Sequence, residues 1–178
     1  GSVSTSFSAD LDPSTVNGSA TAAISTRDLA TGVAQADTLL AGDTQIDAAL
    51  AFAGSEDVTV KSLSLKNAAL NIDGNAHYQE ASLASEFSIA LEDLSKVDSQ
   101  LAGSLDVTAK TTGPIDALNV EADAASKQIM LAGTPLDNLS FSATAIADTA
   151  APSATIKSSA SLNGQPIAID VELKSEDG

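Results

Sequence analysis

Side chains that usually catalyse reactions or bind metals are few in this chain. Its 178 residues include one histidine, His77, and no cysteine, which excludes thiolate chemistry and the usual zinc sites. No G-x-S-x-G motif surrounds a serine, and no D-x-[DN]-x-[DN]-G loop gathers its aspartates for calcium. We interpret His77 as an outward strand residue beside an inward Tyr78. The sequence therefore predicts no enzyme, no metal site and no cofactor.

The charge balance narrows the range of partners. The chain has 24 acidic and 8 basic residues, for a formal net charge of −16. Such a chain is repelled by nucleic acid and by anionic membrane surfaces, and we expect no nucleic-acid partner. The scattered acidic residues are interpreted as a solvated face that keeps a partly apolar surface soluble. No stretch reaches the 18 apolar residues of a candidate membrane-spanning helix.

Strict alternation of apolar and polar residues dominates the chain and is typical of β-strands. One apolar series is Val3, Thr5, Phe7, Ala9 and Leu11. Similar series occupy residues 46–52, 70–78, 83–91, 101–109, 118–122, 139–145, 154–162 and 167–173. The intervening positions are polar, as expected for an antiparallel sheet with one face in water. Residues 27–40 also fit a helical spacing and are interpreted as mixed, and Asp73-Gly74 is interpreted as a turn.

The alternation changes phase at two places. Val58 and Val60 have one parity while Leu63 and Leu65 have the other, and the same slip separates Leu136 from Leu139. An extra residue in a strand is a β-bulge, which bends the strand. The sequence therefore predicts a sheet that curls around its apolar face.

A short motif, an aliphatic residue two places before a glycine, recurs at intervals of about 30 residues. The glycines are Gly42, Gly74, Gly103, Gly133 and Gly164. Recurrence at this period predicts a repeat architecture. We expect one elongated β domain over residues 3–178. Residues Gly1 and Ser2 are interpreted as a cloning remnant, so we expect the chain to be a fragment of a larger protein.

Several segments resemble a known family in order and spacing. They are Leu91-Glu92-Asp93-Leu94-Ser95, Leu101-Ala102-Gly103-Ser104-Leu105, Thr112-Gly113-Pro114-Ile115, and residues 39–43, 58–65, 129–139 and 162–167. Together these segments resemble the TamB family, inner-membrane subunits of the translocation and assembly module within the AsmA-like group. The likeness covers residues 39–173. The membrane anchor and the extreme C-terminal segment of that family have no counterpart here, which suggests a central periplasmic slice.

The resemblance implies an all-β fold, a long and mostly antiparallel sheet folded into an open trough, or β-taco, with an apolar interior. It also implies a location in the periplasm of a Gram-negative bacterium, with the full-length protein anchored in the inner membrane. The implied role is a bridge between inner and outer membranes in phospholipid transport or outer-membrane protein assembly. The implied partners are phospholipids, an outer-membrane barrel of the BamA/TamA type through regions absent here, and nascent outer-membrane proteins.

The leading hypothesis is a lipid conduit whose apolar wall carries acyl chains. The residues predicted to line it are Leu50, Phe52, Leu70, Ile72, Phe87, Ile89, Leu105, Val107, Leu118, Val120, Phe141, Ile156, Ile167, Ile169 and Val171. Ordinary core packing would explain the same residues. One alternative function is a chaperone-like scaffold that binds unfolded barrel strands at its sheet edges. Another is a surface β-solenoid stalk or adhesin.

Overall fold

The computed structural model describes residues 1–54, 56–148 and 151–175, and they form twelve β-strands, one short α-helix and one 3-10 turn. The elements are β1 (Ser2–Asp12), β2 (Asn17–Arg27), α1 (Ala34–Leu39), β3 (Asp43–Ala53), β4 (Asp57–Lys66), β5 (Leu70–Gln79), β6 (Ser82–Leu91), the 3-10 turn (Leu94–Lys96), β7 (Leu101–Gly103), β8 (Leu105–Pro114), β9 (Ala117–Leu131), β10 (Thr134–Asp148), β11 (Ser153–Leu162) and β12 (Gln165–Lys174).

All twelve strands belong to one antiparallel sheet. Each strand pairs with its neighbour along the chain, except that β6 pairs with β8, and the short β7 lies against the far end of β9. The sheet is not closed, so β1 and β12 are its free edges. The predicted all-β, mostly antiparallel, open sheet is confirmed. Eleven strands in the main path, spaced about 4.8 Å apart, give a sheet about 50 Å long across its strands.

Both predicted phase changes are bulges. The register of β4 against β5 shifts between Val60 and Leu63, and that of β10 against β11 shifts between Asp137 and Ser140. In β10, Asn138 has a positive φ of 52°, which asparagine tolerates better than most residues. These extra residues bend the strands, so the sheet curves into an open trough whose long axis crosses the strands.

The glycines of the recurring motif do not all occupy equivalent positions. Gly42 precedes β3, Gly74 lies inside β5 and Gly103 ends β7, whereas Gly133 and Gly164 occupy hairpin turns. The prediction of a turn at Asp73-Gly74 is wrong, because β5 runs unbroken from Leu70 to Gln79. The structural unit that recurs is the antiparallel strand pair, and its length varies along the chain.

Residues 27–40, which were predicted to be mixed, contain the last residue of β2 and one short helix. Only Ala34–Leu39 is helical, and its N-cap residue Val33 makes no side-chain capping bond. A six-residue helix without a cap is marginal alone. We infer that tertiary contacts at the end of the sheet hold it in place.

Two hairpins have the same loop length but different turn residues. The β11–β12 turn uses Asn163 and Gly164, both at positive φ, which is the preferred chemistry for a two-residue turn. The β5–β6 turn places Glu80 and Ala81 at positive φ values of 47° and 62°. Glutamate and alanine carry a Cβ that disfavours this left-handed conformation. The β5–β6 turn therefore contains local strain that its sequence does not relieve.

We expect the double substitution Glu80→Asn and Ala81→Gly to stabilise the protein by about 1–2 kcal/mol, since it removes this strain. Urea denaturation followed by circular dichroism measures the change. Gly164→Ala is the matched control and should destabilise by about 1 kcal/mol. An unchanged midpoint for the β5–β6 variant would contradict the left-handed geometry of that turn.

Candidate functional site

The candidate site is the apolar face of the sheet, and cross-strand register places all fifteen predicted lining residues on it. From strand to strand, apolar residues face apolar residues: Phe52 faces Val58, Ile72 faces Ile89, and Ile89 faces Val107. It continues through Val107 facing Ala124 and Phe141 facing Ser158. Beyond them, the same face carries Ile156, Ile167, Ile169 and Val171. One side of one continuous sheet therefore holds the whole set. Whether lipids line this face stays a prediction.

The apolar face carries no charge at any position with a register partner in the described strands. Its polar members are small, chiefly threonine and serine, such as Thr26 with Thr44 and Ser85 with Thr111. The charged strand residues lie on the opposite, outer face, as Glu86 does opposite Lys110. The two lysines at bulges, Lys61 and Lys127, are exposed. A mobile apolar molecule on this face would meet no charged group.

No second layer covers the apolar face in the described part of the chain. No large side chain there is fully buried. Twelve of the predicted lining residues are half-buried, while Ile167, Ile169 and Val171 on the edge strand β12 are exposed. A closed core would bury such residues almost completely. The apolar atoms on this face are therefore partly open to the interior of the trough.

All five aromatic residues of the chain lie on the apolar face, and each of the four phenylalanines has a small cross-strand neighbour. Phe52 lies opposite Gly18, and Phe87 lies opposite Gly74. A Cβ added at Gly18 would lie 2.6 Å from Phe52 Cζ, and one added at Gly74 would contact the Phe87 ring carbons. Each glycine therefore leaves the space that the facing ring occupies. Aromatic rings that lie over strand glycines are a known means of stabilising a sheet.

The outer face is polar and cross-linked by exposed ion pairs. His77 lies there, with its Nε2 3.2 Å from Asp57 Oδ1, while Tyr78 is half-buried on the apolar face. The prediction of an outward His77 is confirmed. Lys157 Nζ lies 3.6 Å from Asp170 Oδ2 across the β11–β12 pair. Among the described residues, no group of three or more histidine, cysteine, aspartate or glutamate side chains could hold a metal.

The strand ends form two rims of the trough. Within the described residues, the α-helix and the 3-10 turn both lie on one of these rims. This rim, the helical rim, contains α1, the 3-10 turn and the β4–β5 connection. Asn67 links the β4–β5 connection to α1 and to the start of β3, since its Nδ2 donates to the Leu39 carbonyl at 2.8 Å and to Thr44 Oγ1 at 3.2 Å. Leu94 of the 3-10 turn is only 5% exposed. The helical rim thus packs against the ends of the strands.

Charged groups on the helical rim are held by local hydrogen bonds. Arg27 Nε donates to Asp43 Oδ1 at 2.6 Å, and this bond and the arginine charge lower the pKa of Asp43. Ser95 donates from Oγ and from its backbone N–H to Asp93 Oδ1, which lowers the pKa of Asp93. Both carboxylates are solvent-exposed, so these pairs position the rim loops and contribute little to overall stability.

The sequence prediction of the lining set was incomplete. The same face also carries Phe7, Ile46, Leu63, Leu139 and Leu173 at equivalent register positions. The signal that identifies them is the same period-2 alternation, continued through the bulges. In contrast, Asn67 and Leu94 lie in irregular segments where no periodic pattern marks them.

Comparison of the chain with models of known families, with curated proteins and with solved structures finds no match. The resemblance to the TamB family therefore rests on the sequence motifs alone. Within the described residues, no helix has the length and apolar character needed to cross a membrane.

We expect Gly74→Ala to destabilise the protein by about 1–3 kcal/mol, because the new methyl group overlaps the Phe87 ring. The φ of Gly74 is not in the left-handed region, so backbone strain does not contribute. In a Phe87→Ala background, the same Gly74→Ala change should be neutral or stabilising. Urea denaturation of the four variants in this double-mutant cycle measures the coupling. An equal cost in both backgrounds would show that the ring does not occupy this space.

Proposed function

We propose that this chain is a non-enzymatic segment of a conduit that carries the acyl chains of phospholipids along its apolar face. One observation carries the proposal: an apolar face, without charge at its register positions, crosses the whole sheet and is partly open. Acyl chains would lie in the trough while their headgroups stay in water at the rims. No specific polar site is needed for such a passenger.

The burial energy of acyl methylenes favours a bound acyl chain that can move along the apolar face. Each acyl methylene removed from water contributes roughly 0.8 kcal/mol. Because the face offers similar aliphatic, alanine and aromatic surfaces at successive strands, neighbouring positions along the trough differ little in this energy. A charged side chain on the face would add a desolvation cost at one point. The absence of charge at its register positions is what movement along the trough requires.

The cellular setting is a proposal that rests on the family resemblance. We propose that the chain is a periplasmic part of a bridge between inner and outer membranes, in a protein anchored in the inner membrane. An outer-membrane barrel of the BamA/TamA type would be its partner through other regions. The strong negative charge of the chain, −16, suits a segment that passes between membranes without adhering to anionic surfaces.

A second candidate function is a scaffold for nascent outer-membrane proteins. The observation that favours it is the pair of free sheet edges, β1 and β12, to which an unfolded barrel strand could pair by strand addition. The third hypothesis, a β-solenoid stalk, requires stacked closed coils. This sheet is open and antiparallel, so we do not propose a solenoid.

We expect lipid contact on the apolar face and not on the outer face. A photo-crosslinking residue at Phe141 should yield phospholipid adducts by mass spectrometry, since Phe141 is half-buried inside the trough between Ala124 and Ser158. The same residue at the exposed Glu121, opposite Lys110 on the outer face, is the control. Equal labelling at both sites, or none at either in folded protein, would contradict the conduit and favour a scaffold.

We expect Val107→Asp to reduce co-purified phospholipid at least tenfold. Val107 lies at the middle of the face, between Ile89 and Ala124, and a carboxylate there adds a charge that an acyl chain must pass or desolvate. Asn119→Asp adds the same charge on the outer face, where its partners Thr112 and Ile146 carry none, and should leave bound lipid unchanged. Circular dichroism checks that both variants fold. Undiminished lipid in folded Val107→Asp protein would overturn the proposal.

A further inference from the structure

The connection between β2 and β3 is far longer than the sheet requires. Arg27 at the end of β2 pairs with Asp43 at the start of β3, so a two-residue turn would join them, as it joins β11 to β12. Residues 28–42 lie between them instead and include α1. Hairpin loops usually have about two to five residues, and much longer ordered connections are usually functional. The length of this connection therefore points to a function.

Hydrogen bonds within residues 28–42 hold them together as one unit. At the base, the Asp28 N–H donates to the Gly42 carbonyl at 2.9 Å, and the Gly42 N–H donates to Asp28 Oδ1 at 3.0 Å. Further out, Thr31 Oγ1 donates to Asp37 Oδ1 at 2.7 Å, which ties the start of the segment to α1. A segment bonded to itself in this way can move as one body.

Few contacts attach this unit to the sheet beyond its base. Among the described residues, a single hydrogen bond joins residues 29–41 to another element, from Asn67 Nδ2 to the Leu39 carbonyl at 2.8 Å. Helix α1 lies against the 3-10 turn and makes no extensive contact with a described strand. Gly32 and Gly42 flank α1, each with a φ of 82°, and a Cβ added to either would meet nothing within 4 Å. Packing therefore does not fix the two ends of the unit.

Two threonines lie beneath the C-terminal end of α1. Thr26 and Thr44 face each other on the apolar face, and they are only 6% and 2% exposed. Asn67 Nδ2 donates both to the Leu39 carbonyl and to Thr44 Oγ1, so the end of α1 lies on the side of the sheet that carries these threonines. Most of the apolar face is half-buried, and we attribute the greater burial here to residues 28–42.

Thr26 makes this covered arrangement costly. Its Oγ1 is buried and has no hydrogen-bond partner among the described residues. A buried hydroxyl without a partner loses the hydrogen bonds that water would supply. Movement of residues 28–42 away from the sheet would admit water to Thr26 and remove this cost. The covered arrangement is therefore less favoured over an open one than its contacts alone would make it.

We propose that residues 28–42 form a lid that swings away from the apolar face about its base. Asn67 is the latch, since its bond to the Leu39 carbonyl holds the lid closed. When open, the lid gives an acyl chain an entrance to the trough from the side of the helical rim. The motion of the lid goes beyond the proposed function, whereas the entrance rests on that function.

Thiol labelling of the purified, lipid-free protein tests the motion. The chain has no native cysteine, so Thr26→Cys places one thiol beneath the lid. Asn67→Asp keeps the Oδ1 acceptor for the Ala69 and Leu70 N–H groups but removes the Nδ2 donor that holds Leu39. It should raise the rate at which a small maleimide labels Thr26→Cys by about tenfold, because the latch is lost.

Ala160→Cys is the matched control, because Ala160 is buried on the same face in β11, which lies far from the lid in the strand order. Its labelling rate should be the same with and without Asn67→Asp. Thr26→Val removes the unpartnered hydroxyl and should slow the labelling of Thr44→Cys about fivefold. An unchanged rate at Thr26→Cys in Asn67→Asp protein would overturn the lid. An equal rise at Ala160→Cys would do the same, since it would show global unfolding.

Lipid uptake tests the entrance. Phosphatidylcholine vesicles with a pyrene-labelled acyl chain are the donor, because their neutral surface does not repel a chain of net charge −16. Asn67→Asp should load lipid about threefold faster than the wild type, and Thr26→Val should load it more slowly. Equal uptake by the three proteins would overturn the entrance. If no lipid reaches a photo-crosslinker at Phe141 in any of them, the proposed conduit fails, while the labelling rates still decide whether the lid moves.

Discussion

The structure depends on one constraint: a sheet that is apolar on one side has no second layer to bury that side. No large side chain is fully buried in the described residues. The strands in extensive contact are neighbours in the sheet, so adjacent side chains on the apolar face shield one another. Its stability then comes from cross-strand pairs and from the long ladder of backbone hydrogen bonds. Neighbouring side chains replace the missing layer only in part, which leaves the apolar atoms partly accessible.

Side-chain size on the apolar face is matched to this arrangement. Bulky rings at Phe52 and Phe87 occupy the space over glycines, and Phe141 lies between Ala124 and Ser158. Large side chains facing each other at every position would fill the trough, and small ones everywhere would bury too little area to hold the sheet. Large residues face small ones at the phenylalanines, whereas Ile72, Ile89 and Val107 form a row of facing aliphatic side chains. Both arrangements contribute to the cross-strand contacts that stabilise the sheet.

The apolar face was predictable from the sequence because strand side chains alternate with an exact period of two. Once Val60 and Leu63 are recognised as flanking a bulge, the parity of every strand follows. The glycine motif misled because glycine serves different needs here: a left-handed turn at Gly164 and ring space at Gly74. Of the helical rim, the sequence predicted mixed structure over residues 27–40, which contain α1. Asn67 escaped prediction because it acts through contacts distant in sequence.

Within the described residues, the apolar face ends at the two edge strands, β1 and β12. There Phe7 and Ile169 are the most exposed large side chains on the face. For the proposed conduit, the apolar path extends beyond this chain only if a further strand pairs at such an edge, since a gap would put acyl chains in water. The apolar face of β1 carries no charge, and Asp10 and Asp12 lie on its outer face, so a strand paired there would continue the apolar face.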